Sequence, residues 1–332
     1  MRGRGDLRAL DQSRSRRSRR SGWDPVRDLM ASGTSRKRTG DGWLYRAGQR
    51  RVGRFVCRSH PASCRCRHDF RMRDMSHFIP LAGVTLAFGL YAVGAARLWR
   101  RAGLVRGLKR SEAAFGVAGF VVLAGVLLSP LHHYSGQVFS AHMIEHELLM
   151  AVAAPLIVLG SPLFAMLWAF SRIWRQRLGS VAVSAPVVAA WRWLRRPLVT
   201  TVLHGLAIWV WHLPGPFTNA LAFEPVHWLQ HASFLLSALL FWSSLLRVAA
   251  PGASLFYVFA TATHSGILGA LLTFSGRAWY PPVAPGLWGL TAMEDQQLAG
   301  LIMWIPVNLA YLTAALLLAA HWLGTEPREA LR

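Results

Sequence analysis

The stretch from Phe78 to Leu98, FIPLAGVTLAFGLYAVGAARL, carries a single charge, Arg97, in a run of 21 residues. At a helical rise of about 1.5 Å per residue, about 20 apolar residues cross the roughly 30 Å of bilayer hydrocarbon. Six more such runs occur, at 113–131, 144–170, 198–213, 228–246, 253–274 and 298–322. With 53% hydrophobic residues, 15 Trp and 16 Phe, the chain holds too many of them for a soluble core. Hydrocarbon offers the backbone no hydrogen-bond partner, so each run must satisfy its own amides as a helix. The expected fold is therefore all-α, a polytopic integral membrane protein built as a bundle of seven transmembrane helices, with the lipid bilayer as its first partner.

A formal charge of +22 brings nucleic acid to mind until the charge is located. Residues 1–76 hold 21 of the 37 Lys and Arg and 7 of the 15 acids, a net of +14. The excess is mostly a property of this tail, and no nucleic-acid partner is expected. Rich in Arg, Ser and Gly and without apolar periodicity, the tail reads as disordered, ahead of a membrane domain at 77–324 and a short cytoplasmic tail at 325–332. Met75-Ser76-His77-Phe78 opens the first span cleanly, so translation is expected to start at Met75. All three cysteines, Cys57, Cys64 and Cys66, lie in the tail with His60 and His68 between and beside them, a soft-metal pattern that exists only if the tail does. The bundle is left without thiols or disulfides.

Lys and Arg gather in loops on the cytoplasmic side of a membrane. Arg97, at the end of the first run, and Arg100, Arg101, Arg106, Lys109 and Arg110 beyond it lie on one side, with Arg172, Arg175, Arg177, Arg192, Arg195 and Arg196 after the third. With Arg247, Arg328 and Arg332 this set reaches 15, whereas the opposite loops carry only Arg277. The N-terminus is expected outside and the C-terminus in the cytoplasm. Seven of the eleven histidines from His77 onward, His132, His133, His142, His146, His212, His227 and His231, then fall on the external face.

Among them, His142-Met143-Ile144-Glu145-His146 places two imidazoles four residues apart, on one side of a helix and about 5–6 Å apart at Cβ. His227-Trp228-Leu229-Gln230-His231 repeats the spacing. Imidazole suits copper, zinc, iron and nickel, and thioether sulfur favours Cu(I). Unpaired polar groups near hydrocarbon are costly and tend to be functional, which sets a metal site against the alternative of interfacial, water-bound histidines. The candidate ligands are His142, His146, His227 and His231, with His212, His264 and Met150 secondary. Glu145 is a ligand or the partner that orients an imidazole through its other nitrogen. Asp295 and Gln296, just before the last run, are candidate supporting groups or a simple helix-end cap.

The same five residues spell H-x-x-E-H, in which two histidines hold zinc and the glutamate activates water. A zinc hydrolase, a haem-binding membrane protein and a metal-free scaffold stay open beside copper handling. No phosphate-binding loop, dinucleotide fingerprint or Cys-x-x-Cys-His haem attachment occurs in the bundle, and the preferred reading is not an enzyme.

Four ordered motifs carry a resemblance: FSAHMIEHELLMAVAAPLIVLGSPL at 139–163, WHLP at 211–214 with VHWLQHASFLLSALLFW at 226–242, HSGILGALLTFSGRAWY at 264–280, and EDQQLAGLIMWIP at 294–306. Over about residues 77–322 the chain resembles the CtaG-like family, assembly factors of caa3-type cytochrome c oxidase. The resemblance implies a seven-span protein of the bacterial plasma membrane, with a cytochrome c oxidase subunit as partner. The family's motifs fall on His142, His146, His212, His227, His231 and His264, and on Asp295 and Gln296. Transient copper binding at the external histidines is the inference drawn from ligand type and membrane side.

Overall fold

The computed structural model describes the backbone of residues 61–102, 107–280 and 289–325, and the side chains of these except 61–79, 102 and 325. The Cys57 and His60 part of the tail, the side chains of Cys64, Cys66 and His68, and residues 326–332 lie outside the described residues. Every described element is helical.

α1 (Pro61–Ala102) is much longer than the apolar run it carries; its membrane-crossing part is Pro80–Arg101. Within residues 1–76, the tail expected to be disordered, the backbone of 61–76 is helical. Pro61 suits the first helical turn, and no Gly or Pro interrupts the chain before Pro80.

α2 (Arg110–Leu128) returns across the membrane, and Ser129 and Pro130 then start the short α3 (Pro130–Ser135), with the Ser129 hydroxyl accepting from the Leu131 amide at 3.2 Å. The third crossing, Phe139–Leu159, is composite: α4 (Phe139–Glu147), a π-helical segment Leu148–Ala153, and α5 (Ala154–Leu159). Pro155 offers no amide to the preceding turn, and the widened π turn absorbs the mismatch without breaking the span. Two-thirds of this crossing's apolar window is buried, 67% against 44% for the next most enclosed, so it forms the centre of the bundle.

The run expected to extend to residue 170 ends at Leu159 instead. Gly160-Ser161-Pro162 stops it, with Ser161 left-handed at φ 52°, and α6 (Pro162–Leu167) begins there. Arg247 donates to the Val158 carbonyl at 2.6 Å and to the Ser161 hydroxyl at 2.9 Å, covering groups freed at that end. α7 (Arg172–Ala182) and α8 (Ala185–Leu194) contribute no buried residue to the bundle.

The fourth crossing is broken. α9 (Pro197–Trp211) has 15 residues, about 22 Å by the helical rise, and α10 (Pro214–Ala222) leaves it at 73°. Pro214 and Pro216 prevent α9 from continuing, which explains why this run read as short. α11 (Glu224–Arg247), α12 (Pro251–Thr273) and α13 (Ala292–Thr325) complete six long apolar helices, seven crossings if the bent pair counts as one. α12 and α13 form the most extensive helix pair, approaching closely where Gly269 faces Gly300. The membrane bundle expected from hydropathy is the one observed.

Candidate metal centre

The centre is assembled by α3, α4 and α11 at the end of the bundle away from the arginine loops. On α4, residues 142 and 146 share a face, and their rings lie 4.1 Å apart between centroids. On α11, His227 and His231 do the same at 4.4 Å. The two pairs converge: His142 stacks on His227 at 5.2 Å, and His146 meets His231 edge-on at 5.1 Å. His132 of α3, not among the candidate ligands from sequence, joins them by stacking on His227 at 5.5 Å.

Donor atoms divide this cluster into two groups. One nitrogen from each of His142, His146 and His227 lies within 4.8 Å of the others, and so do one atom each from His132, Glu145 and His231. An ion bound at about 2.0–2.2 Å by tetrahedral nitrogen or oxygen ligands needs them roughly 3.3 Å apart, so side-chain adjustments of about 1 Å would close either group. The lone pairs are available. His142 Nδ1 lies 3.2 Å from the Ser135 carbonyl and donates to it, which leaves its Nε2 as the acceptor. That atom has no hydrogen-bond partner, nor have His227 Nε2 and both ring nitrogens of His146 and His231. Buried polar atoms are ordinarily paired, so their convergence matches a site built for an ion.

Glu145, fully buried, is held by the second group. Its Oε1 accepts from His132 Nδ1 at 2.7 Å, and its Oε2 stands 3.7 Å from His231 Nε2. This is how a carboxylate fixes the tautomer of a ligating imidazole. It also separates the glutamate from the ion position of His142 and His146 that the H-x-x-E-H reading needs.

His212, at the break between α9 and α10, presents a third donor pair. Its Nδ1 donates to the Ile208 carbonyl at 2.6 Å, and its Nε2 faces the Met143 sulfur at 3.4 Å. Two acceptors that close, both buried, suit a soft cation between them. The break itself is supported by Tyr280, whose hydroxyl donates to the His212 carbonyl at 2.6 Å. Tyr280 lies outside the crossings, and burial raises its phenol above the ordinary value.

Other expected site residues are placed elsewhere. His264 belongs to a separate intramembrane group, accepting from Trp209 at 3.4 Å and lying over Gly205. Met150 sits in the apolar core behind the site, and its carbonyl accepts from Trp242 at 2.9 Å. Asp295 does not precede its helix but lies in the first turn of α13, and it caps a different one. Its carboxylate accepts from the Phe139 and Ser140 amides, at 2.7 and 2.9 Å, and so fixes the start of α4. Gln296 holds the segment after α12, accepting from the Trp279 amide at 2.6 Å and donating to the Leu272 and Arg277 carbonyls. Ser129-Pro130 is a helix-start signal that would have put His132 on its own helix, although not its approach to Glu145.

The chain is similar to an uncharacterized protein of Mycobacterium bovis and to one of Mycobacterium tuberculosis, each 29% identical over 278 residues and 76% of this chain. It spans about 40% of the length of these relatives. No solved structure matches it. With this helical membrane bundle in view, the match of residues 89–325 to the cytochrome c oxidase caa3 assembly factor family covers nearly all of the described fold, and the chain belongs to that family.

Proposed function

We propose that this protein receives copper at the histidine end of its bundle and holds it transiently while a caa3-type oxidase subunit is assembled in the bacterial plasma membrane. One observation carries the reading: buried imidazole nitrogens without hydrogen-bond partners converge from two helices, α4 and α11, into adjoining donor groups that His132 of α3 and Glu145 complete. Each unsatisfied buried polar group costs about 1–3 kcal/mol, a cost that ion binding offsets. A purely structural scaffold gains nothing from such an arrangement. The donor types, imidazole with a thioether beside it, favour copper over the hard cations.

The role is non-catalytic in this reading. Glu145 is engaged by His132 and His231, not set to activate water on an ion between His142 and His146. Three helices presenting adjoining subsites suit an ion handed from one donor set to the next.

The test is metal analysis of the purified protein after loading with Cu(I). Wild type should retain copper stoichiometrically, and His142→Ala/His231→Ala should lose it while keeping the unliganded protein's thermal midpoint. Undiminished copper in that variant would sink the proposal. Equal retention of zinc after competition with copper would instead point to the hydrolase reading.

A further inference from the structure

At the opposite end of the bundle, five guanidinium groups, from Arg97, Arg100, Arg101, Arg172 and Arg175, line one cavity of about 360 Å³ beside Ser171. That volume falls within the usual range for small-molecule sites, about 300–1,000 Å³. Both ion pairs among the described residues join a histidine to Glu145, so none of the five arginines is neutralised by a described carboxylate. Glu112, the described acid nearest this end in sequence, is instead engaged by the Lys109 amide at 2.9 Å.

Two of the arginines are held in place. Arg97 donates to the Ala169 carbonyl, and Arg175 lies 4.2 Å over the Trp168 ring. Like charges in one cavity repel one another, and an anion turns that repulsion into attraction. Guanidinium forks match phosphate oxygens.

A second feature identifies which phosphate. Arg97, Arg100 and Arg101 end the helix stretch long and apolar enough to be the first crossing, which would set them level with lipid headgroups. In α7, Arg172 and Arg175 project from the side opposite Ile173, Trp174, Leu178 and Val181, four exposed apolar residues among which Arg177 is the one charge, its guanidinium 5.6 Å over the Trp174 ring. A helix with that division lies in the membrane interface, its apolar side in the acyl boundary. We propose that the cavity between the end of α1 and the start of α7 binds the headgroup phosphate of an anionic phospholipid. Bound there, the lipid ties the α7–α8 segment to the bundle. Basic pockets between transmembrane helices are known to recognise lipid headgroups in this way. The site is separate from the histidine centre and independent of the copper reading.

The test uses the full chain purified in detergent, titrated with short-chain phosphatidylglycerol, with short-chain phosphatidylcholine and with inorganic phosphate, bound species being counted by native mass spectrometry. Phosphatidylglycerol should bind to saturation and phosphatidylcholine should not. Arg100→Gln/Arg172→Gln removes two exposed cavity charges and should weaken phosphatidylglycerol by about thirtyfold, at about 1 kcal/mol per charge. Arg192→Gln/Arg196→Gln removes as much charge from the same end outside the cavity and should change affinity less than threefold. Equal weakening by both pairs would mean diffuse attraction and overturn the site. Binding of inorganic phosphate in place of phosphatidylglycerol would overturn the lipid assignment, and unchanged affinity in the cavity variant would overturn the proposal.

Discussion

Glu145 divides the histidine cluster, because its carboxylate belongs to the group of His132 and His231 and not to that of His142, His146 and His227. Glu145→Gln keeps the volume and removes the charge. Copper per chain, measured by metal analysis, should fall by about half, the all-imidazole group retaining its ion; complete loss would show that the two groups bind as one. The four-residue spacing of both histidine pairs was legible in the sequence, since it needs only helical periodicity. Their division was not. It depends on His132, whose position relative to Glu145 is set by the turn through Ser135–Val138 and by no periodic signal. Tyr280 escaped for a similar reason: its partner is the His212 carbonyl, which is free only because the fourth crossing breaks there. Tyr280→Phe should lower stability by about 1–3 kcal/mol by leaving that carbonyl unpaired. Because burial raises the phenol, its contribution is fully present below the unfolded value of about 10 and is lost as pH rises through the higher folded value. Thermal midpoints of the two proteins should therefore differ by a constant amount up to about pH 10 and converge above it.

At the scale of elements, α4 depends on α13. Val138, which precedes α4, has no side chain able to cap it, and the acceptor comes from Asp295, 156 residues away from Phe139. Asp295→Ala should cost about 0.5–2 kcal/mol, as loss of a helix cap does, and should weaken copper retention although no histidine is touched. Asp295→Asn, which keeps a capping oxygen, should recover most of the stability. A thermal midpoint and copper content unchanged in Asp295→Ala would show that α4 holds its register without this cap. From sequence, Asp295 was legible only as a residue near a helix start, because which helix it serves is a tertiary fact. The closure of α13 itself was readable: Thr291-Ala292-Met293-Glu294 is a capping box, with Glu294 accepting from the Thr291 amide at 2.8 Å and Thr291 accepting in return. Further along the same helix, a methyl group added at Gly300 would stand 2.6 Å from the Gly269 carbonyl. Gly300→Ala should therefore separate α12 from α13 and cost about 1–3 kcal/mol by overpacking, checked by the thermal midpoint in detergent.

Across the whole molecule, crossings were legible because apolar length is a property of composition, whereas their ends were set by local chemistry that composition averages away. Gly160-Ser161-Pro162 cut the third run 11 residues before its expected end, and Pro214 turned the chain after the fourth run into the separate helix α10. The charge pattern bears on orientation, and orientation decides what the histidine centre faces. Arginine is concentrated at one end, in the α1–α2 and α6–α9 connections and at Arg247, and the paired histidines lie at the other. A membrane retains positive loops in the cytoplasm, so the proposed copper centre is expected to face outward, where an oxidase would receive the metal without its crossing the bilayer. A reporter enzyme active only in the cytoplasm, fused after Arg110, should be active, and the same reporter fused after Arg277 should be silent. A reporter active only outside should give the reverse. If the Arg277 fusion reports cytoplasm, the histidine groups face inward and copper would have to be supplied from the cytoplasmic pool, which overturns delivery on the outer side while leaving the donor geometry intact.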